Sequence, residues 1–294
     1  MIVIESFLGQ LGNQMFQVAS VIGILRKLGL PDPPRALIGN RLGIYGADHM
    51  FKGNIEYVDI SDNTIDGMRV ANKIDKRISI SSESPTSFMT SPTDFSYLDK
   101  DTNYQILAQL MDEHYFKDVK DEIIDFFTFD PEKLGPYNDV VSSINKHEET
   151  CSVHIRLVDY ITNQRCKDIM FHQLAHEQTY YQDAIDEMGR DKTFLIFSDD
   201  IRSCETDPVI IDIFKDVKHI HVKHAQPGVM TCADMYLMTQ CHNNIIANST
   251  YSWWGAWLNI NDNKVICPKK WFRKREGIEG SSESGQPFNG AIHI

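Results

Sequence analysis

The regular alternation of strand-like and helix-like segments in the second half of the chain is the feature that most restricts its fold. Short apolar runs typical of buried strands recur there, with helical patterns between many of them. Such alternation is typical of a parallel sheet with both faces covered by helices. The sequence therefore predicts an α/β fold. The predicted strands are Ile2–Glu5, Gln105–Ala108, Ser152–Arg156, Phe194–Phe197, His219–Val222, Ile245–Ala247 and Val265–Cys267.

Five further segments carry apolar residues at the spacing of a helix. The predicted helices are Asn13–Leu28, Glu113–Phe127, Gln178–Met188, Met230–Cys241 and Thr250–Leu258. A length of 294 residues fits one large or two ordinary domains. A polar stretch at residues 138–150 precedes a clean strand, so we predict one domain over residues 1–148 and another over residues 149–294.

The charge and cysteine content narrow the class of protein. The formal net charge of −12 argues against a nucleic-acid partner, because proteins that bind nucleic acids usually present a basic face. The six cysteines are scattered without a Cys-x-x-Cys pair, which favours a reducing compartment. The chain contains no apolar run of about 18 residues, and its first residues indicate a strand rather than a signal peptide. We therefore expect a cytoplasmic protein.

The first predicted β–α turn, FLGQLGNQ at residues 7–14, is a candidate binding loop. Gly9 and Gly12 permit close approach to the backbone, and a helix N-terminus offers N–H groups without partners in the helix. The glycine spacing does not match the fingerprint of dinucleotide-binding proteins. An ordinary β–α turn is the alternative interpretation.

The segment SVHIRLVDY, residues 152–160, predicts a strand that carries two unusual side chains. His154 and Arg156 are two residues apart, so they point to the same face of a strand. Arginine suits phosphate because its planar fork donates two parallel hydrogen bonds. Arg156 is therefore either a ligand for an anion at the carboxyl end of the strand or the partner of Asp159 in a structural ion pair.

The run FLIFSDD, residues 194–200, predicts an apolar strand that ends in two carboxylates. Ser198 and Asp199 lie where parallel sheets bind sugars and bases. The alternative is that Ser198 or Asp199 caps the next helix.

Asp234 lies on the predicted apolar face of the segment Met230–Cys241. A carboxylate on a buried face needs hydrogen-bond donors, and the N1–H and N2–H₂ groups of guanine would supply them. A core aspartate satisfied by backbone amides or by an arginine is the alternative.

The stretch IIANSTYSWWGAWLN, residues 245–259, begins like a buried strand and continues like a helix. Asn248 ends the strand, and Ser249 and Thr250 stand where the cap of the next helix belongs. Their hydroxyl groups, with Ser252 and the positive end of the helix dipole, favour binding of a phosphate or diphosphate. The three tryptophans are predicted to pack the helix.

Two weaker patterns remain. His219 and His221 share one face of a predicted strand, but no third ligand has the spacing of a zinc site. The run KKWFRKR, Lys269–Arg275, is either a solvated loop or a surface that contacts a membrane or an anionic acceptor.

Taken together, these motifs resemble those of the inverting α-1,2-fucosyltransferases, glycosyltransferase family 11. The stretch GQLGNQMFQVA is similar to the family's G-G-L-G-N-Q-[LM]-F-Q-Y-A, and DEHYF, at residues 112–116, is similar to S-E-K-Y-F. HIRLVDY resembles H-V-R-R-G-D-Y, and FSDD and P-x-x-W-F recur. The long motif from Asp234 to Asn259 resembles D-M-Y-L-M-x-x-C…I-I-A-N-S-T-[FY]-S-W-W-G-A-W-L-N. The matches keep their order over residues 9–272.

The resemblance implies a GT-B fold, in which two Rossmann-like domains face each other across a cleft. It implies transfer of L-fucose from GDP-L-fucose to a terminal β-galactoside of an oligosaccharide or glycolipid, without a metal or another cofactor. The N-terminal domain is expected on the acceptor side, and the C-terminal domain is expected to bind the donor.

The same resemblance assigns roles to residues. Arg156 is expected to bind the diphosphate, Asp234 to recognise guanine, and Asp159 to act as general base or as the partner of Arg156. The expected residues that bind the donor or another substrate are Gly9, Gly12, Asn13, His154, Ser198, Asp199, Asp234, Asn248, Ser249, Thr250 and Ser252, and the expected catalytic residues are Arg156 and Asp159.

One departure from the family pattern bears on activity. Leu157 and Val158 stand where the family has a second arginine and a glycine. Three readings therefore stay open: an active α-1,2-fucosyltransferase, a sugar-nucleotide or glycan-binding protein of the same fold without turnover, and a transferase for another GDP-sugar.

Overall fold

The chain forms two compact units, Met1–Pro131 and Glu132–Ile294. The computed structural model describes residues 1–37, 42, 50–58, 75–79, 94–130, 132–147, 149–174, 179–223, 232–259, 261, 263–273 and 288–294. The predicted division between residues 148 and 149 stays a prediction about domain roles, and the contacts group the residues from 132 onward with the second unit.

The described strands of the first unit form one parallel sheet. These are β1 (Ile2–Ile4), β2 (Arg35–Leu37), β3 (Glu56–Val58), β4 (Lys76–Ser79) and β5 (Tyr104–Leu107). Their order is β3-β2-β1-β5-β4, and each neighbouring pair is parallel. Because the chain leaves β1 into a helix and returns to its other side at β5, the carboxyl ends of β1 and β5 flank the point where the strand order reverses.

Helix α1 (Leu11–Lys27) follows β1 and is buried along most of its length. Gly23 lies against the 3₁₀ helix Glu113–Tyr115, and a Cβ atom at Gly23 would come within 2.1 Å of the Tyr115 carbonyl oxygen. The close contact explains why this position of an otherwise apolar helix carries glycine.

The described strands of the second unit form a sheet with the strand order of the Rossmann fold. These are β6 (Thr150–Ile155), β7 (Thr193–Ser198), β8 (His219–His221), β9 (Asn243–Ile245), β10 (Val265–Cys267) and β11 (Ile292–His293). The order is β11-β10-β9-β6-β7-β8, again with parallel neighbours. The chain moves outward from β6 to β8, then crosses to β9 and moves outward the other way. The point between β6 and β9 is therefore the topological switch point, where such sheets bind ligands.

Helices connect these strands. In the described residues they are α2 (Lys120–Phe126), α3 (Asn138–Ile144), α4 (Val158–Thr162), α5 (Gln164–Ile169), α6 (Tyr180–Met188), α7 (Ile201–Thr206), α8 (Pro208–Phe214), α9 (Ala233–Thr239) and α10 (Thr250–Trp257). As predicted, the three tryptophans of α10 are buried and contact one another, with Trp253 stacked on Trp257 at 5.8 Å between ring centres.

Buried amides tie the amino ends of the central strands together. The side chain of Asn244 donates to Ser152 Oγ at 2.7 Å and to the Met238 carbonyl at 3.0 Å. Its oxygen accepts from Asn259 at 2.9 Å and from Asn263 at 2.8 Å. All the hydrogen-bonding groups of this side chain are used, so it joins two strands, a helix and the loop before β10 at the end of the sheet opposite the switch point.

The predicted α/β class with two parallel sheets is confirmed, whereas several element bounds are corrected. The predicted helix Glu113–Phe127 is wrong as one element, because 3₁₀ turns at Glu113–Tyr115 and Lys117–Val119 precede α2. The strand predicted at Ile245–Ala247 ends at Ile245. Strands β2, β3 and β4 were missed in the irregular region 29–100, most of whose residues from 59 to 93 lie outside the described chain.

Candidate functional site

The carboxyl ends of β6, β7 and β9 bring together the polar residues that the sequence singled out. β6 is followed by Arg156, β7 ends at Ser198, and the loop after β9 leads through Asn248 to the first turn of α10. β6 pairs with both β7 and β9. The residues therefore meet at the switch point, the position at which a Rossmann sheet binds its ligand.

Arg156 lies between two carboxylates. One guanidinium nitrogen forms a short ion pair with Asp159 on α4, and the other lies 3.2 Å from Asp199 Oδ2. Burial opposes the charge, but Asp199 and Asp159 outweigh it and raise the pKa of Arg156 above its ordinary value. The ion pair that the sequence left as an alternative is thus present. The Arg156 side chain is 17% exposed. The two ion pairs therefore orient a mostly buried cation at the edge of the switch point.

Asp199 holds the turn that carries Arg156. Its carboxylate accepts the backbone amides of Leu157 at 2.8 Å and of Val158 at 3.0 Å. The expected capping of the next helix by Ser198 or Asp199 is wrong, since Asp200 caps α7 by accepting the Ser203 amide at 3.1 Å. Asp199 is therefore bound to the end of β6, and Ser198 accepts the Asp200 amide at 3.1 Å.

His154 is enclosed within the second unit. Its side chain is 3% exposed, and its ring lies 5.7 Å from the Tyr251 ring, centre to centre. Within the described part of the chain, Nδ1 of His154 has no hydrogen-bond partner. Burial, with a smaller contribution from Arg156, lowers the pKa of His154 to about 3. The imidazole is therefore neutral at physiological pH and adds no charge beside Arg156.

The first turn of α10 contains the predicted hydroxyl cluster. Ser249 occupies the cap position with extended backbone angles, but its side chain makes no capping hydrogen bond. Thr250 begins the helix, and the buried Ser252 donates to the Ser249 carbonyl at 3.3 Å. The first amides of any α-helix have no acceptor within the helix. This turn therefore offers an anion N–H groups and the positive end of the helix dipole.

Asn248 makes hydrogen bonds within the second unit, in addition to its predicted role in binding. Its amide nitrogen donates to the carbonyls of Phe171 at 2.8 Å and Trp271 at 2.9 Å. Its own carbonyl accepts the Tyr160 hydroxyl at 2.5 Å. Tyr160 stands on α4 two residues from the helix start, so this hydrogen bond joins the Arg156 turn to the loop before α10.

Asp234 stands in the first turn of α9, where its charge raises the pKa values of two neighbouring tyrosines. Burial is the larger cause at Tyr137 and Tyr251, and Asp234 adds to it. Tyr251 in turn accepts the Met235 amide at 2.9 Å. Asp234 is half-buried as a residue, whereas its Oδ1 atom is buried, so the carboxylate reaches into the protein from the first turn of the helix.

The glycine turn of the first unit is built by its neighbouring side chains. Gly9 has φ +75, and a Cβ atom there would come within 2.3 Å of Asn13 Nδ2. Gln14 donates to the Gly9 carbonyl at 2.8 Å, and Gln17 accepts the Leu8 amide at 2.9 Å. Gly12 is buried in the first turn of α1. The turn is therefore a fixed loop of the first sheet, and its binding role stays a prediction.

The described residues include no group of three or more histidine, cysteine, aspartate or glutamate side chains that could hold a metal ion. His219 and His221 contact each other at 5.4 Å between ring centres on β8. An Asp-x-Asp triplet occurs at Asp99–Asp101, where Asp99 accepts the Asp101 and Thr102 amides and so stabilises a turn.

The predicted basic patch is partly described, since Lys274 and Arg275 lie outside the described residues. Residues 269–273 pair with the end of α5 through an antiparallel bridge between Met170 and Phe272. Lys270 Nζ lies 5.2 Å from the centre of the Phe171 ring. The exposed cations of the two segments, here named the basic surface, are Arg165, Lys167, Lys269, Lys270 and Arg273. In the described residues, no helix has the length and hydrophobicity to cross a membrane.

Sequence reasoning missed three tyrosines that organise the site. Tyr160 donates to the Asn248 carbonyl, Tyr181 donates to the His154 carbonyl at 3.0 Å, and Tyr251 packs on the His154 ring. Tyr160 and Tyr251 each lie within a quoted motif, and that position was the available signal. Their partners are distant in sequence, so the contacts themselves could not be predicted.

Comparisons with known proteins show the family to which the chain is similar. The model of the family "glycosyl transferase family 11" matches residues 89–280. The chain is 31% identical to an α-1,2-colitosyltransferase of Escherichia coli over 94% of both chains. It is also 36% identical to the O-antigen biosynthesis glycosyltransferase WbnK of Escherichia coli, over 56% of this chain and 52% of that protein. The chain thus spans about half the length of WbnK and nearly all of the colitosyltransferase.

Solved structures of distant sequence share the fold. A mutant of Arabidopsis thaliana FUT1 in complex with GDP covers 90% of this chain and 69% of its own, with 12% identity and a TM-score of 0.53. The fucosyltransferase NodZ from Bradyrhizobium covers 86% of this chain and 91% of its own, with 13% identity and a TM-score of 0.51. These likenesses identify the two parallel α/β units as a GT-B fold.

Proposed function

The chain belongs to glycosyl transferase family 11, and from that premise we propose that it is an α-1,2-fucosyltransferase. It transfers L-fucose from GDP-L-fucose to a terminal β-galactoside of a glycan, with inversion at the sugar carbon. Residues 149–294 bind the donor, and residues 1–148 form the acceptor side with Gly9, Gly12 and Asn13. The proposal rests on the family, on structural relatives that include a fucosyltransferase crystallised with GDP, and on the switch-point geometry.

One observation carries the donor assignment: Arg156 and the first turn of α10 lie at the ends of neighbouring strands β6 and β9. A guanidinium and a helix N-terminus are two groups that bind phosphate oxygens. Ser249, Thr250 and Ser252 add hydroxyl groups to the same turn. One cation and one helix N-terminus with partial positive charge suit a diphosphate, the part that all GDP-sugars share.

The reaction requires the protein to stabilise the charge of the leaving group and to accept a proton from the acceptor hydroxyl. As the bond between fucose C1 and the β-phosphate oxygen breaks, its electron pair moves to that oxygen, where Arg156 and the helix N-terminus stabilise the charge. The sugar passes through an oxocarbenium-like transition state. The acceptor hydroxyl attacks from the opposite face and transfers its proton to a general base. Asp159, next to Arg156, is our candidate base.

Guanine recognition is assigned to Asp234. Its carboxylate can accept the N1–H and N2–H₂ groups of guanine, which adenine and the pyrimidines do not present together. Its place in the first turn of α9, close to Tyr137 and Tyr251, leaves it half-buried, where a charged hydrogen bond is stronger than in bulk water.

A second donor is favoured by the relative that acts on colitose. Colitose is L-fucose without the hydroxyl group at C3, so the two GDP-sugars share the nucleotide and the α-1,2 chemistry. A site built for GDP-colitose would give the C3 hydroxyl no partner. Discrimination between the two donors therefore depends on the sugar pocket and not on Arg156 or Asp234.

A donor panel tests the proposal. Purified protein is incubated with labelled GDP-fucose, GDP-colitose or GDP-mannose, with and without a terminal β-galactoside, and both the glycan product and released sugar are measured. The proposal expects glycan product from GDP-fucose, with an α-1,2 linkage by NMR. Product from GDP-colitose alone selects the second donor. Binding of GDP without transfer or hydrolysis of any donor favours a binding protein without turnover.

The basic surface is proposed to contact an anionic membrane, which fits a glycolipid acceptor. Its five exposed cations stand in a chain with a formal net charge of −12, and half-buried Phe171 and Phe272 lie among them. Each Lys or Arg near an anionic bilayer contributes about 1 kcal/mol to binding, and aromatic rings favour the membrane interface.

Sedimentation with lipid vesicles tests this surface. Vesicles that contain phosphatidylglycerol are expected to bind the protein, and pure phosphatidylcholine vesicles are not. The variant with Lys269→Glu, Lys270→Glu and Arg273→Glu is expected to lose binding. The matched control reverses Arg190, Lys215 and Lys223, which are exposed elsewhere, and should bind like the wild type. Equal loss of vesicle binding in both variants would show that net charge alone causes the effect, and it would contradict the proposed role of the basic surface.

A further inference from the structure

The charges around Arg156 do not suit the anion that it is proposed to bind. Among the residues that the structure describes, Arg156 and the two carboxylates paired with it, Asp159 and Asp199, together carry a net charge of −1. The GDP diphosphate would add further negative charge within a few ångströms. In a half-buried site such like charges repel more strongly than in bulk water. We therefore expect one carboxylate to move away from Arg156 when a diphosphate binds.

The two carboxylates differ in how firmly they are held. Asp199 is 18% exposed and accepts the amides of Leu157 and Val158 in addition to contacting Arg156. Asp159 is 33% exposed and stands on the short helix α4, from which its side chain can rotate toward solvent. Removing Asp199 would break backbone hydrogen bonds at the end of β6. Asp159 is the more exposed carboxylate, and its movement leaves the Asp199 hydrogen bonds at the end of β6 intact.

We propose that the donor diphosphate displaces Asp159 from Arg156, while Asp199 holds the guanidinium in place. This inference rests on the proposed function, in which Arg156 binds the donor. Asp199 is then a positioning residue that acts through Arg156, and Asp159 competes with the ligand. Displacement also leaves the Asp159 carboxylate able to take the proton of the acceptor hydroxyl. In the same step the acceptor oxygen bonds to fucose C1, and the leaving β-phosphate keeps the electron pair of the broken bond.

Opposite effects of two substitutions on GDP affinity test the proposal. Asp159→Asn removes the competing charge, so GDP is expected to bind about three- to fivefold tighter, the scale of one partly exposed ion pair. Asp199→Asn loosens the guanidinium, so GDP is expected to bind about tenfold weaker, the scale of one hydrogen bond to a charged group. Calorimetry measures both affinities. If Asp199→Asn does not fold, Asp199→Glu, which moves the carboxylate but keeps its charge, is expected to weaken GDP binding.

Two controls separate competition from general charge effects. Asp212→Asn also removes one aspartate from an ion pair with a cation three residues away, here Lys215, and is expected to leave GDP affinity unchanged. In a background of Arg156→Ala, the Asp159→Asn change is expected to lose its benefit, because no guanidinium remains to be released. Steady-state kinetics of Asp159→Asn should show a lower kcat together with a lower donor KM.

Several results would overturn the inference. GDP that binds Asp159→Asn no tighter than Asp212→Asn would exclude competition, and weaker binding would make Asp159 part of the bound state. If Asp159→Asn still tightens GDP binding in the Arg156→Ala background, Asp159 does not compete with GDP for Arg156. Wild-type protein that binds no GDP would contradict the proposed donor itself, a failure that the variants cannot produce.

Discussion

The guanidinium of Arg156 is oriented from two sides, by Asp159 on its own turn and by Asp199 at the end of the neighbouring strand. Leu157, the next residue, is 3% exposed and belongs to the apolar core of the second unit. Two adjacent residues thus have separate roles, one in charge and one in packing. The departure from the family's second arginine falls on the packing residue.

Arg156→Ala is expected to lower kcat about 100-fold, the scale for loss of one preorganised group that stabilises charge in the transition state. Arg156→Lys should restore only part of the rate, because an ammonium group cannot reproduce the planar fork. Steady-state kinetics on GDP-fucose check both variants.

Leu157→Ala serves as the matched control at the neighbouring position. It is expected to destabilise the protein by about 2–5 kcal/mol while kcat of the folded fraction is unchanged. Denaturant unfolding measures the first effect. Normal turnover in Arg156→Ala, or loss of turnover without loss of stability in Leu157→Ala, would contradict this division of roles.

Asp234→Ala is expected to weaken GDP binding by about 2 kcal/mol or more, as for loss of a hydrogen-bonding charge. Inosine diphosphate, which lacks the 2-amino group of guanine, should lose less affinity on this change than GDP does. Calorimetry with both nucleotides gives the comparison. Equal losses for the two nucleotides would remove Asp234 from recognition of the 2-amino group.

Acid should destabilise the second unit through His154. Its folded pKa of about 3 lies below its ordinary value, so the unfolded state binds the extra proton as pH falls below about 6.5. Stability is therefore fully present above that pH and is lost progressively down to about pH 3. Between about pH 7 and about pH 5 we expect protonation of His154 in the unfolded state to lower the free energy of unfolding by about 2 kcal/mol.

Denaturant unfolding at the two pH values measures this cost in the wild type and in His154→Phe, whose ring can still pack on Tyr251. The carboxylates titrate alike in both proteins, so the difference between them isolates His154. An equal loss of stability in the two proteins would show that His154 does not titrate in this way.

At the scale of elements, the second sheet separates a structural end from a binding end. The Asn244 network closes the amino ends of β6, β9 and the β10 loop, whereas Arg156, Asp199 and the α10 turn stand at the carboxyl ends. All strand pairs are parallel, so every strand contributes one terminus to each end. Substitutions at the two ends should therefore affect different properties.

Asn244→Ala is expected to cost about 3 kcal/mol or more of unfolding free energy, because it leaves several buried polar partners unsatisfied. GDP affinity of the folded protein should be unchanged. Asn261→Ala is the control, since Asn261 is exposed and lies in the same loop, where it donates to the Cys241 carbonyl, and it should cost less than about 1 kcal/mol. A large loss of GDP affinity in folded Asn244→Ala would show that the two ends are coupled.

At the scale of the whole molecule, leaving-group charge is proposed to be stabilised by protein groups. Arg156 and the α10 N-terminus supply the positive charge that a divalent ion supplies in metal-dependent enzymes. Transfer is therefore expected to continue at an undiminished rate after dialysis against EDTA, measured as the initial rate of glycan formation. A rate that falls in EDTA and returns with Mn²⁺ would contradict it.

The sequence by itself determined the fold class, the succession of the main strands along the chain and several residues that gather at the switch point. Period-two and helical patterns are local, and the carboxyl ends of parallel strands always meet at one edge. The sequence pattern alone therefore predicted that Arg156, Asp199 and Ser249 lie at this edge. The short strands β2 and β4 were missed, because each begins with a charged residue and neither contains a run of three apolar residues.

Only the tertiary structure decided which partner each polar group takes. Asp199 pairs with amides 41 and 42 residues away, and Tyr160 donates to a carbonyl 88 residues away. Such pairings depend on the register of β6 against β7 and β9, since a shift of one residue would turn each side chain to the other face of the sheet. Sequence spacing indicates which groups are near one edge, whereas hydrogen-bond geometry over a few ångströms decides which of them hold Arg156.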